Sequence, residues 1–227
     1  WKAELLAKGY APGTVNAMLV QLNRFLDFLG YGNCKVKALR IQRRLFRENR
    51  KELTRQEYDR LLSTARAQGK ERLALLMEAI CATGIRVSEV QYLTVEALRE
   101  GRAEISLKGK IRTILIPGKL RKKLLQYAKK EKNASGAVFR TRNGKPLSRK
   151  QIWAEMKALC SQAGVAASKV FPHNLRHLFA RAFYNVCRDV AKLADVLGNH
   201  AALPHLHRQR TRAAAGTAGI CEIGQYK

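Results

Sequence analysis

Acidic residues are scarce in this sequence. Only 17 Asp and Glu stand against 44 Lys and Arg, so the 227-residue chain carries a formal net charge of +27. With so few carboxylates, the sequence has no acidic cluster of the kind that holds Mg²⁺, and any chemistry is predicted to be metal-free. Because the positive charge is spread along the whole chain, it favours a folded surface that grips a nucleic-acid backbone.

Cysteines are few and scattered, and long apolar runs are missing. The five cysteines form no CxxC pair and no Cys/His cluster at zinc spacing, so we expect neither a bound metal nor another cofactor. We interpret them as reduced thiols of a cytoplasmic protein.

No apolar run is long enough to span a bilayer, so we expect no membrane partner. Hydrophobic residues still make up 46% of the chain, enough for a buried core.

Periodic patterns predict a mainly α-helical, α+β fold. Helical spacing predicts helices over about 1–9, 15–29, 55–67, 71–83, 86–92, 118–131, 149–163, 173–186 and 188–197. Strand-like runs at 103–107 and 113–117 predict a small antiparallel sheet, with another short strand at 138–140. Thr54 and Glu57 have the spacing of a capping box and mark the start of a new helical region.

These patterns divide the chain into three regions. Residues 1–50 hold too few helices to close a core alone, and we interpret them as the second half of a small helical domain with a basic linker. Because the chain opens with Trp1 directly in helical periodicity, we expect a truncated N-terminus. Residues 51–200 form the predicted mostly helical domain with the small sheet. Residues 201–227 have biased composition and poor periodicity, and we expect a disordered tail.

Four groups of basic residues fall at turns or helix ends, where side chains can converge. Arg86 follows Gly84, whose backbone freedom allows the arginine to open the next helix pointing into a cleft. Glu89 lies three residues further on, within reach of that guanidinium. The other groups are Lys108 or Lys110 at the tip of the predicted hairpin, His173 with Arg176 on one helix face, and Asn199-His200 at a helix end.

These residue types suit an in-line displacement at a phosphodiester. Arginines clamp the non-bridging oxygens, and a lysine or histidine protonates the leaving 5′ oxygen. Such a reaction without metal needs a protein nucleophile, usually a tyrosine or serine. Taken singly, each group has a simpler interpretation: a surface ion pair, an ordinary turn lysine, or a structural His/Arg pair. Their order along the chain is what favours the chemical interpretation.

In that order the motifs resemble those of tyrosine recombinases, the integrases of phages and conjugative transposons. The segment 82–89, ATGIRVSE, resembles their first arginine box, and 172–180, PHNLRHLFA, resembles their second, the His-x-x-Arg motif. Segment 193–198, LADVLG, resembles the run before their third histidine, and 138–148 is also typical of these integrases. The resemblance covers about residues 1–200.

The resemblance implies both residue roles and partners. It implies that Arg86 and Arg176 clamp the phosphate and that Lys108 is the leaving-group acid. His173 is then a base or phosphate ligand and His200 is the third histidine. The supporting residues are Glu89 and His177. Residues 1–50 become the rest of a core-binding domain that closes around double-stranded DNA, with self-association into dimers or tetramers on that DNA. The basic residues expected to contact DNA are Arg40, Arg43, Arg44, Lys110 and Arg142.

The expected nucleophile is where this sequence departs from the resemblance. His200 stands one place later than the Leu-Gly-His pattern expects, which turns its side chain by about 100° on a helix end. The tyrosine expected about nine residues further on is replaced by a stretch that holds Arg208 and Gln209. Tyr226 follows much later and is the remaining candidate, because Tyr184 on the His173 helix is expected to belong to the core.

We therefore expect a member of this family that binds DNA without cutting it. We expect it to be cytoplasmic and associated with the nucleoid, and to be encoded by a bacterium or a phage. We hypothesise that the tail is a frameshift product. Segment 204–207, PHLH, can be encoded as CCA CAC CTA CAT, whose neighbouring frame reads His-Thr-Tyr and would restore a tyrosine. Two alternatives stay open. One is an active recombinase that uses Tyr226 or a tyrosine supplied in trans, and the other is a non-enzymatic architectural DNA-binding protein.

Overall fold

The chain divides into two compact units, Trp1–Glu48 and Asn49–Lys227. The computed structural model describes residues 1–41, 52–107, 110–141 and 143–198. The predicted boundary after residue 50 and the predicted tail 201–227 lie outside these ranges. Within them, the prediction of a mainly helical fold with a small antiparallel sheet is confirmed. None of the helices in these ranges has the length and apolar character needed to cross a membrane.

Over residues 1–41, the first unit is built from two helices and a short 3₁₀ turn. Helix α1 covers Lys2–Ala7, α2 covers Pro12–Phe28, and the turn covers Gly32–Cys34. Helix α2 begins three residues before the predicted start at residue 15, because Pro12 occupies its first position. A proline is favourable there since the first helical N–H needs no partner within the helix.

Two asparagines of α2 hold the segment that follows the turn. The Asn16 amide donates to the Leu39 carbonyl at 2.9 Å, and its oxygen accepts the Leu39 N–H at 2.7 Å. Asn23, two helical turns later, makes the same pair of bonds with Val36 at 3.0 and 2.9 Å. These bonds hold the backbone at Val36 and Leu39 against α2 and lead the chain to Arg40, which is exposed.

The second unit is mostly helical in its described residues. Its helices are α3 Arg55–Ala67, α4 Glu71–Thr83, α5 Val95–Glu100, α6 Gly118–Lys130, α7 Arg149–Lys157, α8 Pro172–Cys187 and α9 Val190–Leu197, with 3₁₀ turns at Val87–Tyr92 and Ala167–Lys169. The predicted capping box opens α3: the Thr54 hydroxyl accepts the Glu57 N–H, and the Glu57 carboxylate accepts the Thr54 N–H at 2.8 Å. Helix α7 ends before the predicted residue 163, and α5 was not predicted from periodicity because it is only six residues long.

The sheet consists of one antiparallel hairpin, β1 Arg102–Leu107 and β2 Lys110–Leu115. Strand β2 begins three residues earlier than the predicted run at 113–117. Ile105 pairs with Arg112, and Ala103 pairs with Ile114. Since side chains alternate along a strand, Arg112 shares the face of the buried Ile114.

The predicted strand at 138–140 is wrong. Near these residues the described chain forms only isolated bridges, between Thr94 and Ala137 and between Arg140 and Pro146. Val138 and Phe139 are buried, so the apolar run reflects packing against the core rather than strand pairing. A short apolar run cannot distinguish these two environments.

Helix α4 runs through the centre of the second unit. Its buried residues include Leu76, Met77 and Ile80, and it contacts α3, α6, α7 and α8. A helix that is buried on most sides is held by its neighbours along its whole length. The C-terminal end of α4 is therefore held in a fixed position, and it positions the side chains of the turn that follows.

The thiols differ in their predicted reactivity. Burial raises the pKa of Cys81, which packs against the core beside the Tyr58 hydroxyl, to about 11, and burial also raises the pKa of Cys160. Because the thiolate is the reactive form, iodoacetamide at about pH 8 should label the exposed Cys34 and spare Cys81 and Cys160 until the protein is denatured. Peptide mass spectrometry over time tests this, and early labelling of Cys81 would contradict the packing described.

Candidate functional site

The site begins where α4 ends. Gly84 closes the helix with a φ of +64°, in the left-handed region. A Cβ at this position would lie 2.5 Å from Cδ1 of Phe179 on α8 and 3.0 Å from Cδ2 of Leu197 on α9. Gly84 is thus required both for the turn and for the close approach of two helices. The backbone freedom was predicted from the sequence, whereas the close approach was not.

Arg86 is held by a buried carboxylate immediately after this turn. Its backbone N–H donates to Oε2 of Glu89 at 2.7 Å, and its Nη1 donates to Oε1 at 2.8 Å. Its Nη2 reaches the carbonyl of Gly198 at 3.5 Å. The Glu89 side chain is 3% exposed while that of Arg86 is 41% exposed. The buried carboxylate therefore orients the Arg86 guanidinium, which remains accessible to solvent.

A second arginine, which sequence reasoning missed, binds the same carboxylate. Nη2 of Arg112 on β2 donates to Oε2 of Glu89 at 2.6 Å, and Nη1 donates to the carbonyl of Val196 at 3.3 Å. Burial lowers the pKa of Arg112, the charge of Glu89 opposes that shift, and the charge of Arg86 adds to it. The sequence signal for this role was the position of Arg112 two residues before the buried Ile114, which places both side chains on the same face of the strand.

Arg176 completes the cluster from α8. It is only 7% exposed, its Nη1 donates to the Gly84 carbonyl, and its Nη2 donates to the Leu197 carbonyl at 2.6 Å. Burial, followed by the charges of Arg86 and Arg112, lowers the pKa of Arg176 to about 10. Two guanidinium groups thus bind the Glu89 carboxylate, and that of Arg176 lies near enough for their charges to affect it. Such a site carries excess positive charge that a bound anion would neutralise.

The two predicted histidines lie at the start of α8, where Pro172 occupies the first turn. His173 is exposed, and its ring meets that of His177 edge-on, with 4.3 Å between the ring centroids. The buried Asn174 between them donates to the carbonyl of Lys169 at 2.8 Å and anchors the helix start. His173 and Arg176 therefore come from the same well-anchored turn.

Several predicted site residues lie outside the described chain. These are Lys108, Arg142, His200, Arg43, Arg44 and Tyr226, together with the side chain of Lys110. The chain is described as far as Gly198, which ends α9 with a φ of +63°. Tyr184 is 38% exposed, with the Arg188 guanidinium 5.8 Å from its ring centroid. The expectation that Tyr184 belongs to the core is wrong, because it lies on the solvent side of α8.

The described residues contain no group of three His, Cys, Asp or Glu side chains that could hold a metal ion. The guanidinium groups of Arg86, Arg112 and Arg176 form a cationic cluster with planar, forked hydrogen-bond donors. Guanidinium groups in this arrangement suit an oxyanion with several acceptor oxygens, since each can donate two parallel hydrogen bonds.

The chain is similar to known recombinases in sequence. Residues 51–212 match the model of the phage integrase family. The chain is 31% identical over 208 residues to the tyrosine recombinase XerA of Pyrococcus furiosus, covering 88% of this chain and 70% of that protein. It is 25% identical over 213 residues to XerD of Vibrio cholerae, with the same two coverages, 88% and 70%.

Solved structures share the fold. A crystal structure of XerA recombinase matches 95% of this chain and 72% of its own, with a TM-score of 0.56 and 20% identity. The Tn1549 transposon integrase in complex with transposon right end DNA matches 87% of this chain and 75% of its own, with a TM-score of 0.66 and 16% identity. With a family match over most of its length and a recombinase relative above 30% identity, this chain belongs to the phage integrase family of site-specific tyrosine recombinases.

Proposed function

We propose that this chain binds double-stranded DNA and holds one backbone phosphate between Arg86 and Arg176. The observation that carries the proposal is the clustering of three arginines, two of them bonded to the buried Glu89 carboxylate and the third, Arg176, within reach of their charges. A phosphate in this cluster would relieve the repulsion among the guanidinium groups and raise the lowered pKa of Arg176 towards its usual range. His173, on the first turn of α8, would add a donor to the same phosphate.

Two further observations support DNA as the source of that phosphate. The net charge of +27 is far above what a single small anion would require, and it suits a polyanion that crosses a wide surface. Solved neighbours of the same fold include the Tn1549 integrase bound to transposon DNA and the XerH recombinase bound to its difH substrate. Contacts from Arg40 and from the undescribed Arg43, Arg44, Lys110 and Arg142 belong to this proposal, as does self-association on the DNA.

We also infer that this chain leaves the bound DNA uncut. The family match extends to residue 212, yet the sequence has no tyrosine between Tyr184 and Tyr226. Arginines can bind and polarise a phosphodiester, but a covalent protein–DNA intermediate needs a nucleophilic hydroxyl in line with the leaving oxygen. The leaving-group acid proposed at Lys108 and the third histidine proposed at His200 would then have no cleavage step to assist.

The test uses DNA that the chain itself selects from a random duplex pool. Selected duplexes, labelled and nicked so that a cleavage product cannot be resealed, should shift in a native gel and give no covalent adduct in a denaturing gel. Arg176→Ala should weaken binding about ten-fold or more, since hydrogen bonds to a charged group contribute roughly 1.5–3 kcal/mol.

Lys130→Ala is the control, because this lysine pairs with Glu71 at the far end of α4, about 18 Å along the helix from the site. It should bind DNA nearly as tightly as the unmodified chain. Absence of any shift would overturn the DNA-binding proposal. An adduct that disappears in Tyr226→Phe would overturn only the second inference and would make the chain an active recombinase.

A further inference from the structure

We propose that Arg112 is a positioning residue: it fixes the Glu89 carboxylate, and through it the guanidinium of Arg86. The proposal rests on the proposed function in one respect, namely that Arg86 binds a DNA phosphate. The geometry of the carboxylate carries it. Oε1 of Glu89 accepts from Nη1 of Arg86 at 2.8 Å, while Oε2 accepts from Nη2 of Arg112 at 2.6 Å.

Among the described hydrogen bonds to the Glu89 carboxylate, two come from Arg86 itself, the residue to be positioned, and the bond from Arg112 comes from a different segment of the chain. Oε2 also accepts the backbone N–H of Arg86 at 2.7 Å, so the bond from Arg112 and the bond that opens the 3₁₀ turn share an oxygen. Loss of the Arg112 bond would leave that oxygen with a single described donor and a buried negative charge with less compensation. Glu89 would then no longer hold Arg86 in one orientation.

Arg112 also contacts the end of α9, where other site groups are bonded. Its Nη1 donates to the carbonyl of Val196 at 3.3 Å. A Cβ added to Gly198 would lie 2.6 Å from Cδ of Arg112, so the backbone passes directly against this side chain. The carbonyls of Leu197 and Gly198 in turn accept from Arg176 and Arg86. The Arg112 side chain therefore contacts both the Glu89 carboxylate and the end of α9, the two places where the other arginines of the cluster are bonded.

Burial together with a carboxylate partner distinguishes this role of Arg112 from direct phosphate binding. The Arg112 side chain is 9% exposed, against 41% for Arg86, and both of its terminal nitrogens are bonded to protein groups. Nη2 of Arg112 is bonded to the Glu89 carboxylate, which compensates its charge, whereas both terminal nitrogens of Arg176 are bonded to the neutral carbonyls of Gly84 and Leu197. The Arg112 guanidinium is therefore committed to Glu89 and acts through it. An alternative is that Arg112 contributes only its positive charge to the cluster, and a substitution that keeps the charge distinguishes the two.

The experiment compares Arg112→Met, Arg112→Lys, Arg86→Ala and the double variant Arg86→Ala/Arg112→Met. Lysine keeps the charge but offers one ammonium group, which cannot bond Glu89 and Val196 with the geometry of a fork. Arg102→Met is the matched control, because this arginine lies on the same hairpin with a side chain that is 58% exposed. Thermal unfolding of every variant establishes that it is folded, and Arg112→Lys serves if the methionine variant does not fold.

The first readout is the Nε–Hε NMR signal of Arg86 in the DNA-free protein. Arg112→Met and Arg112→Lys should both move this signal to the position of a freely rotating, solvated arginine, while Arg102→Met leaves it in place. An unchanged Arg86 signal in both Arg112 variants would overturn the proposal. This readout needs no DNA, so it decides the role of Arg112 even if the proposed function fails.

The second readout is the salt dependence of duplex binding, from the slope of log Kobs against log salt. Arg86→Ala should reduce the slope by about 1, the value for one lost phosphate contact. Arg112→Met should give a similar loss, and the double variant should lose no more than either single one. A loss that adds up in the double variant would mean that Arg112 itself binds phosphate, which would also overturn the proposal.

Discussion

Replacing Gly84 by alanine is expected to lower the free energy of unfolding of the second unit by about 2–5 kcal/mol. A left-handed φ costs a residue with a Cβ about 1–2 kcal/mol, and forcing extra volume into a packed site adds about 1–3 kcal/mol. Both conditions hold here, since φ is +64° and the new Cβ would meet the Phe179 ring at 2.5 Å. Urea denaturation followed by circular dichroism measures the change as a shift of the midpoint at constant slope.

Gly69→Ala separates the two contributions. Gly69 has nearly the same φ, +67°, but a Cβ there would meet nothing within 4 Å. It should therefore lose only the backbone contribution of about 1–2 kcal/mol. Equal effects at both glycines would mean that α4 and α8 are not in contact at Gly84 as described. The Gly84→Ala variant should also weaken DNA binding, because the carbonyl of Gly84 orients Arg176.

Replacing Glu89 by alanine is expected to be the most damaging single change among the charged residues of the site. The carboxylate is buried and compensates two guanidinium groups, and breaking a buried pair by removing one partner costs about 3–5 kcal/mol. The cost arises because Arg112 stays buried with its charge uncompensated. Glu89→Gln should cost less, because the amide oxygen still accepts one hydrogen bond while the charge is lost.

Glu71→Ala provides the matched comparison. This glutamate also pairs with a cation, Lys130 at 2.7 Å, but both side chains are about half exposed or more, at 49% and 69%. Exposed ion pairs contribute about 0–1 kcal/mol, so the expected loss is small. The same denaturation series measures both variants. A Glu89 variant as stable as the Glu71 variant would contradict the description of a buried, doubly bonded carboxylate.

Local signals in the sequence were sufficient where the structure depends on neighbours a few residues apart. The capping box at Thr54 and Glu57 and the pairing of Arg86 with Glu89 are contacts over three residues, and both were predicted. The helices α3, α4 and α8 were predicted nearly to their ends, because their apolar residues recur at helical spacing over 13 or more residues.

The sequence predictions are wrong where contacts with residues far away in the chain determine the structure. Strand β2 was expected to start at residue 113, which left Arg112 outside it and concealed that its side chain faces the core. The ends of a hairpin depend on cross-strand pairing, and that pairing cannot be read from one strand alone. The position of Tyr184 on the His173 helix predicts burial, but only the packing of α8 shows which side of that helix faces solvent.

By itself, the sequence determined the charge, the helical class of the fold, the two arginine boxes and thereby the family to which the chain belongs. The charge and the helical class follow from composition and periodic spacing, whereas the family follows from the resemblance of short segments to its motifs. Only the tertiary structure decided that Glu89 is shared by Arg86 and Arg112, that Arg176 is bonded to the ends of α4 and α9, and that Gly84 admits no side chain. The physical reason is that each of these depends on burial and close contact between segments far apart in the chain, where charge and packing are set by the partner.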